Sequence, residues 1–433
     1  MKVLNSPHIS PFGGLNFVLE EFERLGVGAH LNDALPQLAT QSAYSWKDTF
    51  YALSSIFFCG GDCIEDLSGN LKSALEEQPF FQAPSADTVL KRIKELSTEI
   101  ALFKARRGNK EHQFCFNDQL LKVNLKLIKK HLSTSTEPVV FDYDNTLLHN
   151  NKADAQRTYS GGYGYCPGVG FIGKQVVYVE NRNGSSTPHT LQEDTFERVF
   201  QLFKEENIKV DMVRADSASY SLRTLSGLHK QGVKFYVRAN INSLIARTIA
   251  DLPEHAWEAV ETKEGKVLRS SFPFTPFYEV ARKHKEYDLL QEYRLVVTKV
   301  PNKQRQLDLF TNESCTYLAI ITNDMDMGKD EVVDFYNGRG AIERQFDVLK
   351  NDFGWKKLPF SRLEQNLVYL ILTGTIRNLY DQVINRFSVI YKGLKPTDRI
   401  KKFIFRFISI PAKWIRHAGQ KVLRLYGKTE LMT

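Results

Sequence analysis

Residues 139–146, VVFDYDNT, read as a β-strand and open a run of five. GVGFIGK (168–174), QVVYVENR (175–182), KVDMVRAD (209–216) and VKFYVRAN (233–240) follow, each rich in β-branched or aromatic residues and bounded by Gly, Asn or Asp. The helix-like stretch TLQEDTFERVFQLFKEENI (190–208) lies between the third and fourth runs, and SYSLRTLSGLHKQ (219–231) between the fourth and fifth. Three neighbouring strands followed by helix, strand, helix, strand predict an α/β sheet whose first strands pair antiparallel and whose later strands run parallel, joined by crossover helices. After Asn240 the next helix is expected only near Glu331. The intervening YRLVVTKVP (293–301) and CTYLAIITN (315–323) are further strand candidates, so 241–330 reads as a β-rich inserted domain.

Upstream, residues 1–135 read as helical. LNFVLEEFERLGV (15–27), WKDTFYALSSIFF (46–58) and ADTVLKRIKELSTEIALFKA (86–105) carry apolar residues at three- and four-residue intervals. Within APSADTVLKRIKEL (83–96), Pro84 and Ser85 supply a helix start, and Thr88, Lys91, Arg92 and Lys94 are available to face a duplex. The segment resembles the second helix of a helix-turn-helix, and simple helical packing would produce the same pattern.

The net charge of +8 sits in the tail. From Arg386 onward 12 Lys or Arg stand against Asp398 and Glu430, leaving 46 basic and 48 acidic residues in the remaining 385. Interleaved with Phe403, Phe405, Phe407, Trp414 and Tyr426, this segment reads as a basic helical tail that contacts phosphate backbones. The alternative is a basic amphipathic helix that caps the protein or touches a membrane.

At 433 residues the chain is longer than one ordinary core, so two or three domains are expected. The start, MKVLNSPHISPFGG, lacks a signal-peptide apolar stretch, and the longest apolar run, around 367–375, is too short to span a bilayer. A cytoplasmic protein with no membrane partner is expected. Cys59, Cys63, Cys115, Cys166 and Cys315 are odd in number and scattered, which argues for a reducing compartment and for buried thiols. Cys59 and Cys63, with His112 far away, do not make a zinc site.

The segment DFYNGRGAIERQFDVLK (334–350) is the most chemically loaded. On one continuous helix Arg339, Glu343 and Lys350 fall at roughly −60°, −20° and −40° from Tyr336, a single narrow stripe. Phe335, Ile342, Phe346, Leu349 and Phe353 share the adjoining face, as burial against a core requires. Glu and Arg four apart also pair across a turn on ordinary solvated helices.

The four stripe residues reproduce the Tyr-x2-Arg-x3-Glu-x6-Lys signature of DDE-type insertion-sequence transposases, and the chain resembles that superfamily. It is similar to the branch whose first acidic motif reads Asp-x-Asp-x-Thr, here Asp142 to Thr146, and whose second lies in a segment like Arg-Ala-Asp-Ser, here Arg214 to Ser217. The strand order is that of an RNase H-like sheet, and the β-rich stretch is similar to the insertion this branch carries between its second and third acidic residues. The expected organisation is therefore an N-terminal helical DNA-binding region (1–135), an RNase H-like catalytic core (136–240 and 331–385) interrupted by the insertion (241–330), and a basic helical tail (386–433).

Phosphodiester cleavage with two metal ions needs carboxylates from different rigid elements converging on the scissile phosphate. The resemblance carries these roles onto Asp144, Asp216 and Glu343, with two Mg²⁺ ions per site and Mn²⁺ able to substitute. Asp142 points to the same sheet face as Asp144 and is the alternative first ligand. Asp144 is preferred because the family's first aspartate precedes an x-Thr pair, here Asn145 and Thr146. As a purely structural residue, Asp216 would cap the helix beginning ASASYSLRTL. Arg339 and Lys350 are placed to hold DNA phosphates on either side of Glu343. Tyr336 could bond a phosphate or buttress a flipped-out end base, and Trp355 and Trp257 are stacking candidates for which core packing is the alternative.

The implied activity is cut-and-paste transposition at terminal inverted repeats through hairpin ends, by a nucleoid-associated bacterial-type homodimer that also engages target DNA. Two rivals are a catalytically inactive DNA-binding relative and a haloacid-dehalogenase-like phosphatase. The second takes VVFDYDNTLL as its first motif, with Asp142 as nucleophile, Asp144 as general acid, and Thr322, Asp324 and Asp326 as later motifs.

Overall fold

The computed structural model describes residues 8–105, 110–132, 137–263, 265–301 and 315–427. Residues 1–7 of the leader reading, and Lys428 and Glu430 of the tail charge, lie outside the described residues.

Five helices open the chain: α1 (Leu15–Arg24), α2 (Val27–Ala34), α3 (Trp46–Phe58), α4 (Lys72–Glu76) and α5 (Ala86–Glu95). Ser45 and Asp48 form a capping box on α3, and Ser85 caps α5 by accepting from the Thr88 amide. Helix α5 stops well short of the expected end at 105. Strand β1 (Ala101–Lys104) instead pairs antiparallel with β2 (Glu111–Cys115), so the N-terminal region is not all-α. Phe114 and Cys115 pair with Arg182 and Asn181 on the edge of the central sheet, and this tertiary pairing satisfies backbone groups that local periodicity ignores.

After α6 (Asp118–Leu132) comes β3 (Val140–Asn145), then a small sheet of β4 (Leu148–His149), β5 (Gln156–Arg157) and β6 (Tyr163–Tyr165). The core continues as expected with β7 (Gly168–Ile172), β8 (Gln175–Arg182), α7 (Gln192–Glu205), β9 (Met212–Ala215), α8 (Leu222–Lys230) and β10 (Lys234–Ala239). Strands β3, β7 and β8 pair antiparallel, while β3, β9 and β10 run parallel. Phe141 and Tyr143 point to one face, where they meet Phe196 and Phe203 of α7. Asp142 and Asp144 therefore point to the other.

Helix α9 (Ser243–Ala250), capped by Asn242, follows β10 directly, so the next helix is not delayed. Then come β11 (Glu258–Thr262), β12 (Gly265–Phe274), α10 (Tyr278–His284), β13 (Tyr293–Pro301) and β14 (Cys315–Thr322). These strands are not a separate inserted sheet. Strand β14 pairs antiparallel with β10, covering what would be an open edge, and β13, β12 and β11 extend it. Among the described residues the result is one eleven-stranded sheet, in the order β1-β2-β8-β7-β3-β9-β10-β14-β13-β12-β11.

The helix expected across 334–350 is broken. Helix α11 (Lys329–Asn337) ends in a 3₁₀ turn, Gly338–Gly340, before α12 (Ala341–Asp352) begins. Phe346 of α12 packs edge-on against Phe171 of β7, on the face that carries Asp142 and Asp144. The long α13 (Leu363–Ile390) is apolar nearly all round and mostly buried. Asn378 clasps β8 with both ends of its amide, accepting from the Val176 amide and donating to the Val176 carbonyl, each at 2.8 Å.

The tail is not a basic helix. A short α14 (Ile400–Phe403) and a π turn (Ile404–Ile408) lead into the hairpin β15 (Ala412–His417) and β16 (Gln420–Leu425), turned by Ala418 and Gly419 at positive φ. Ser10 and Ala412 exchange both backbone hydrogen bonds at 2.8 Å, tying the tail to the start of the described chain. All five cysteines are free thiols, and Cys59, Cys115 and Cys166 are buried. Among the described residues no helix is long and apolar enough to cross a membrane.

Candidate active site

Strand β3 pairs with β9 from Val140↔Met212 to Tyr143↔Ala215, so the next residues of each, Asp144 and Asp216, leave neighbouring strand ends side by side. Asp144 is mostly buried and accepts from the Asn145 amide at 2.8 Å. Burial above all, opposed by Arg339 and aided by Asp216, leaves its carboxyl pushed up to about 6. Asp216 caps the following 3₁₀ turn, its Oδ1 accepting from the Ala218 amide at 3.0 Å. Capping uses one carboxylate oxygen and leaves the other for a second partner.

The glycine-flanked turn after α11 delivers Arg339 to this pair. Its Nη2 lies 2.8 Å from Asp144 Oδ2. The contact is an ion pair that lowers the Asp144 pKa, and among the described residues the buried Nε has no hydrogen-bond acceptor. Burial opposes the charge on Arg339, and Asp144 and Asp216 outweigh it and raise its pKa. Lys350, half-buried near the end of α12, lies within electrostatic reach of Asp144 and Cys166; burial lowers its pKa. It opens into a cleft of about 280 Å³ that Lys356, Lys357 and Lys401 also line.

Tyr336 is buried, its ring packed with Tyr236, Val296, Ile320, Val332 and Val333 and its hydroxyl donating to the Ala215 carbonyl at 3.3 Å. This places it beneath the carboxylates rather than where a flipped base would stack. Trp355 is likewise a core residue, 1% exposed and donating to Thr373 Oγ1 at 3.0 Å. Trp257 is partly buried against Tyr317. Glu343 is exposed on the first turn of α12, one turn past Arg339, and among the described residues no hydrogen bond or ion pair fixes it. The geometry thus brings Asp144, Asp216, Arg339, Tyr336 and Lys350 together, while Glu343 stays at the solvent edge.

Asp142 differs sharply from Asp144. Arg214 grips both its oxygens, and the carboxylate is 4% exposed. Burial raises its pKa, and Arg214 offsets this only in part. The phosphatase motif also comes apart. Thr322 lies three strands from Asp142 along the same row, roughly 14 Å at about 4.8 Å per strand. Asp324 accepts from the Tyr236 hydroxyl and from the amides of Asp326 and Met327, which closes the turn at the far end of β14.

Of the duplex-facing candidates on α5, Lys91 is exposed. Arg92 is held inside the fold, its Nη1 donating to Glu95 Oε2 at 2.6 Å, its Nη2 on Ser42 Oγ and its guanidinium over the Trp46 ring. Two residues carry more than the sequence assigned them. Arg214 is one; it entered only as the first residue of the Arg-Ala-Asp-Ser segment. Tyr159, on the loop between β5 and β6, is 60% exposed, and Asp144 and Asp216 both help raise its pKa, after burial.

A second acidic cluster, Asp62, Cys63 and Asp66, is already engaged. Lys357 pairs with Asp62 at 2.5 Å, and Asp66 Oδ2 accepts from the amides of Asp62 and Cys63.

Among solved structures, the chain is similar to a piggyBac transposase in a synaptic complex with hairpin DNA, at 13% identity over 91% of this chain and 78% of that one, with a TM-score of 0.43. No curated protein matches it. The family described as transposase DDE domain group 1 matches residues 7–429, nearly the whole length, and the chain belongs to that family of DNA-transposing enzymes.

Proposed function

We propose that the chain performs cut-and-paste transposition, hydrolysing phosphodiesters at terminal inverted repeats and joining the freed 3′ ends to target DNA, with hairpin ends as intermediates and a homodimer bridging two ends. The observation that carries this reading is the side-by-side exit of Asp144 and Asp216 from parallel neighbouring strands, with Arg339 over Asp144.

Asp144, Asp216 and Glu343 would hold two Mg²⁺ ions. Asp144 and Asp216 fit, since hard carboxylate oxygens suit Mg²⁺ and two carboxylates leaving one sheet edge, with burial raising the Asp144 carboxyl, invite a compensating cation; Glu343, exposed on α12, would have to swing in to complete the set. When bound, the ions supply activation of the attacking water or 3′-OH and stabilisation of the departing oxygen. The chain's own cations do the positioning. Arg339, ion-paired with Asp144, is the guanidinium nearest the carboxylates and would place its charge on a phosphate bound there, and Lys350, with Lys356 in the same cleft, would hold the backbone beside it. Tyr336 supports the floor of the site through the Ala215 carbonyl, at the last residue before Asp216.

The test is cleavage of duplexes bearing the short inverted repeats that flank the gene. Asp216→Ala and Glu343→Gln are expected to keep end binding and lose Mg²⁺-dependent cutting. A wild-type protein that binds these ends but never cuts them would favour the inactive DNA-binding reading instead.

A further inference from the structure

The row that begins with Asp144 and Asp216 continues one strand further. Strand β10 pairs in parallel with β9 through Val237↔Ala215, so Arg238 stands beside Asp216 as Asp216 stands beside Asp144, all on the face under α11. Among the described residues Arg238 has no ion-pair or hydrogen-bond partner, and its charge reaches the Tyr336 hydroxyl.

Among the described residues this face of the sheet is open past the end of α11 at Asn337. A groove of about 900 Å³ runs from Arg238 and Asn337 across β14, β13 and β12 to the β11–β12 turn, where Lys263 and Lys266 are exposed. Arg269 Nη1 donates to Asp330 Oδ1 at 2.7 Å, which neutralises the wall nearest α11. Among the described lining residues the remaining cations are Arg238, Lys263 and Lys266, against Asp334 and Glu261, which stands opposite Lys266 on β11.

Three strand spacings across and five residues along β12 separate Arg238 from Lys266, roughly 22 Å. At about 3.4 Å per phosphate along one strand of a duplex, that is the reach of about six phosphates. Lys350 lies on the β3 and β7 side of the carboxylates, near Cys166, and Arg238 on the β10 side. A backbone crossing the acids would meet cations on both flanks.

We propose that this groove carries the DNA strand away from the reacting phosphate: Arg238 binds the phosphate next to the one that is cut, and Lys263 and Lys266 bind phosphates further along the same strand. The inference rests on the transposase reading and adds the residues and the path. Arg238 is the sharpest element because strand register fixes its position beside Asp216.

The experiment measures binding of the full-length protein to an inverted-repeat duplex without divalent metal, as a function of salt, for wild type, Arg238→Ala, Arg238→Lys and the Lys263→Ala/Lys266→Ala pair. Each lost phosphate contact should flatten the slope of log K against log salt by about 0.9. Arg238→Ala should lose about one contact, the lysine pair about two, and Arg238→Lys should keep the wild-type slope. Cleavage by Arg238→Ala should fall as well. Slopes equal to wild type in both alanine variants would overturn the proposal, as would lost cleavage by Arg238→Ala with an unchanged slope, which would make Arg238 a support for Asp216 or Tyr336. Because the slope needs no cutting, it separates this inference from the catalytic reading. Wild type that binds without cutting sinks that reading and leaves the groove measurable, while wild type that binds no DNA sinks both.

Discussion

Arg214 and Asp142 form a two-pronged ion pair, Nε on Oδ1 and Nη2 on Oδ2, each at 2.7 Å, and the remaining Nη1 donates to the Phe335 carbonyl at 2.7 Å. One guanidinium thus joins β3, β9 and the last turn of α11, just before the chain bends to present Arg339. The pair distinguishes two aspartates that stand two residues apart on one face: Arg214 takes up both oxygens of Asp142, and Asp144 is left to the role proposed for it.

Removing one partner of this buried pair should therefore act on stability. Asp142→Ala and Arg214→Ala are each expected to destabilise by roughly 3–5 kcal/mol, because the surviving charge is left buried alone. Asp144→Asn should leave the urea midpoint near wild type and abolish cleavage. If Asp142→Ala folded normally while losing only cutting, Asp142 would be the metal ligand and the assignment would reverse.

A Cβ added at Gly338 would lie 2.5 Å from Arg214 Nη1. The backbone there is ordinary helical, so the conflict is with the guanidinium and not with the dihedral angles. Gly338→Ala should push Nη1 off the Phe335 carbonyl, shift Arg339 and cut the cleavage rate about 10-fold or more, since small misplacements of catalytic groups cost that much. Gly340→Ala, with nothing within 4 Å of its Cβ, is the matched control and should cleave at close to the wild-type rate.

Arg339 sets its guanidinium 2.8 Å from the Asp144 carboxylate, which burial raises. Arg339→Ala should lower single-turnover nicking by about 10²–10³, the range for losing a preorganised charge donor. Arg339→Lys should recover only part, because a point charge cannot copy the fork. Full activity in Arg339→Ala would leave the arginine as an internal counter-ion to Asp144.

Strand order was legible because alternation and crossover order are local signals, and the register sets Asp144 and Asp216 at neighbouring strand ends; the roles proposed for Asp144, Asp216 and Glu343 came from the motif resemblance. What the sequence concealed were pairings made at a distance. Residues 101–104 carry helical spacing yet become β1, because β8 offered an edge to its partner β2. The strands after Asn240 look like a separate domain until β14 is seen on β10. The stripe assumed one helix through 334–350, and Gly338 and Gly340 sit where it bends around Arg214. Tail residues 412–425 alternate on a hairpin, and their basic content says nothing of helix or strand.

Behind the site, Glu180 lies fully buried between Arg182, whose Nε donates to Oε1 at 2.6 Å, and Arg198, whose Nη2 donates to Oε2 at 2.8 Å; Arg182 also donates to the Tyr143 hydroxyl. Burial alone would raise this carboxyl, but Arg182 and Arg198 outweigh it and hold it down at about 2, against an ordinary 4.5. A depressed carboxyl contributes stability above its unfolded pKa and loses it as pH falls through the folded one, so this contribution should fade between about 4.5 and about 2. Urea midpoints across that window should fall more steeply for wild type than for Glu180→Gln, which is less stable at neutral pH but lacks this titration. Parallel curves would remove the arginine pair as its cause.

The junction of the two chain ends gives a purely steric prediction. A Cβ at Gly14 would come within 2.0 Å of the Phe407 carbonyl oxygen and 2.6 Å of Ile408 Cα, both backbone atoms of the π turn that cannot swing aside as a side chain would. Gly14→Ala must therefore pry the start of α1 from the turn before β15, at a cost of roughly 1–3 kcal/mol, the range for overpacking. Gly227 supplies the contrast, being interior to α8 with nothing within 4 Å of an added Cβ. Gly227→Ala should gain about 1 kcal/mol from helix propensity alone. The two variants make the same chemical change and should move the urea midpoint in opposite directions. If Gly14→Ala were as stable as wild type, the close packing of the Ser10–Gly14 segment on residues 407–412 would be wrong, and with it the hairpin's place against the first helix.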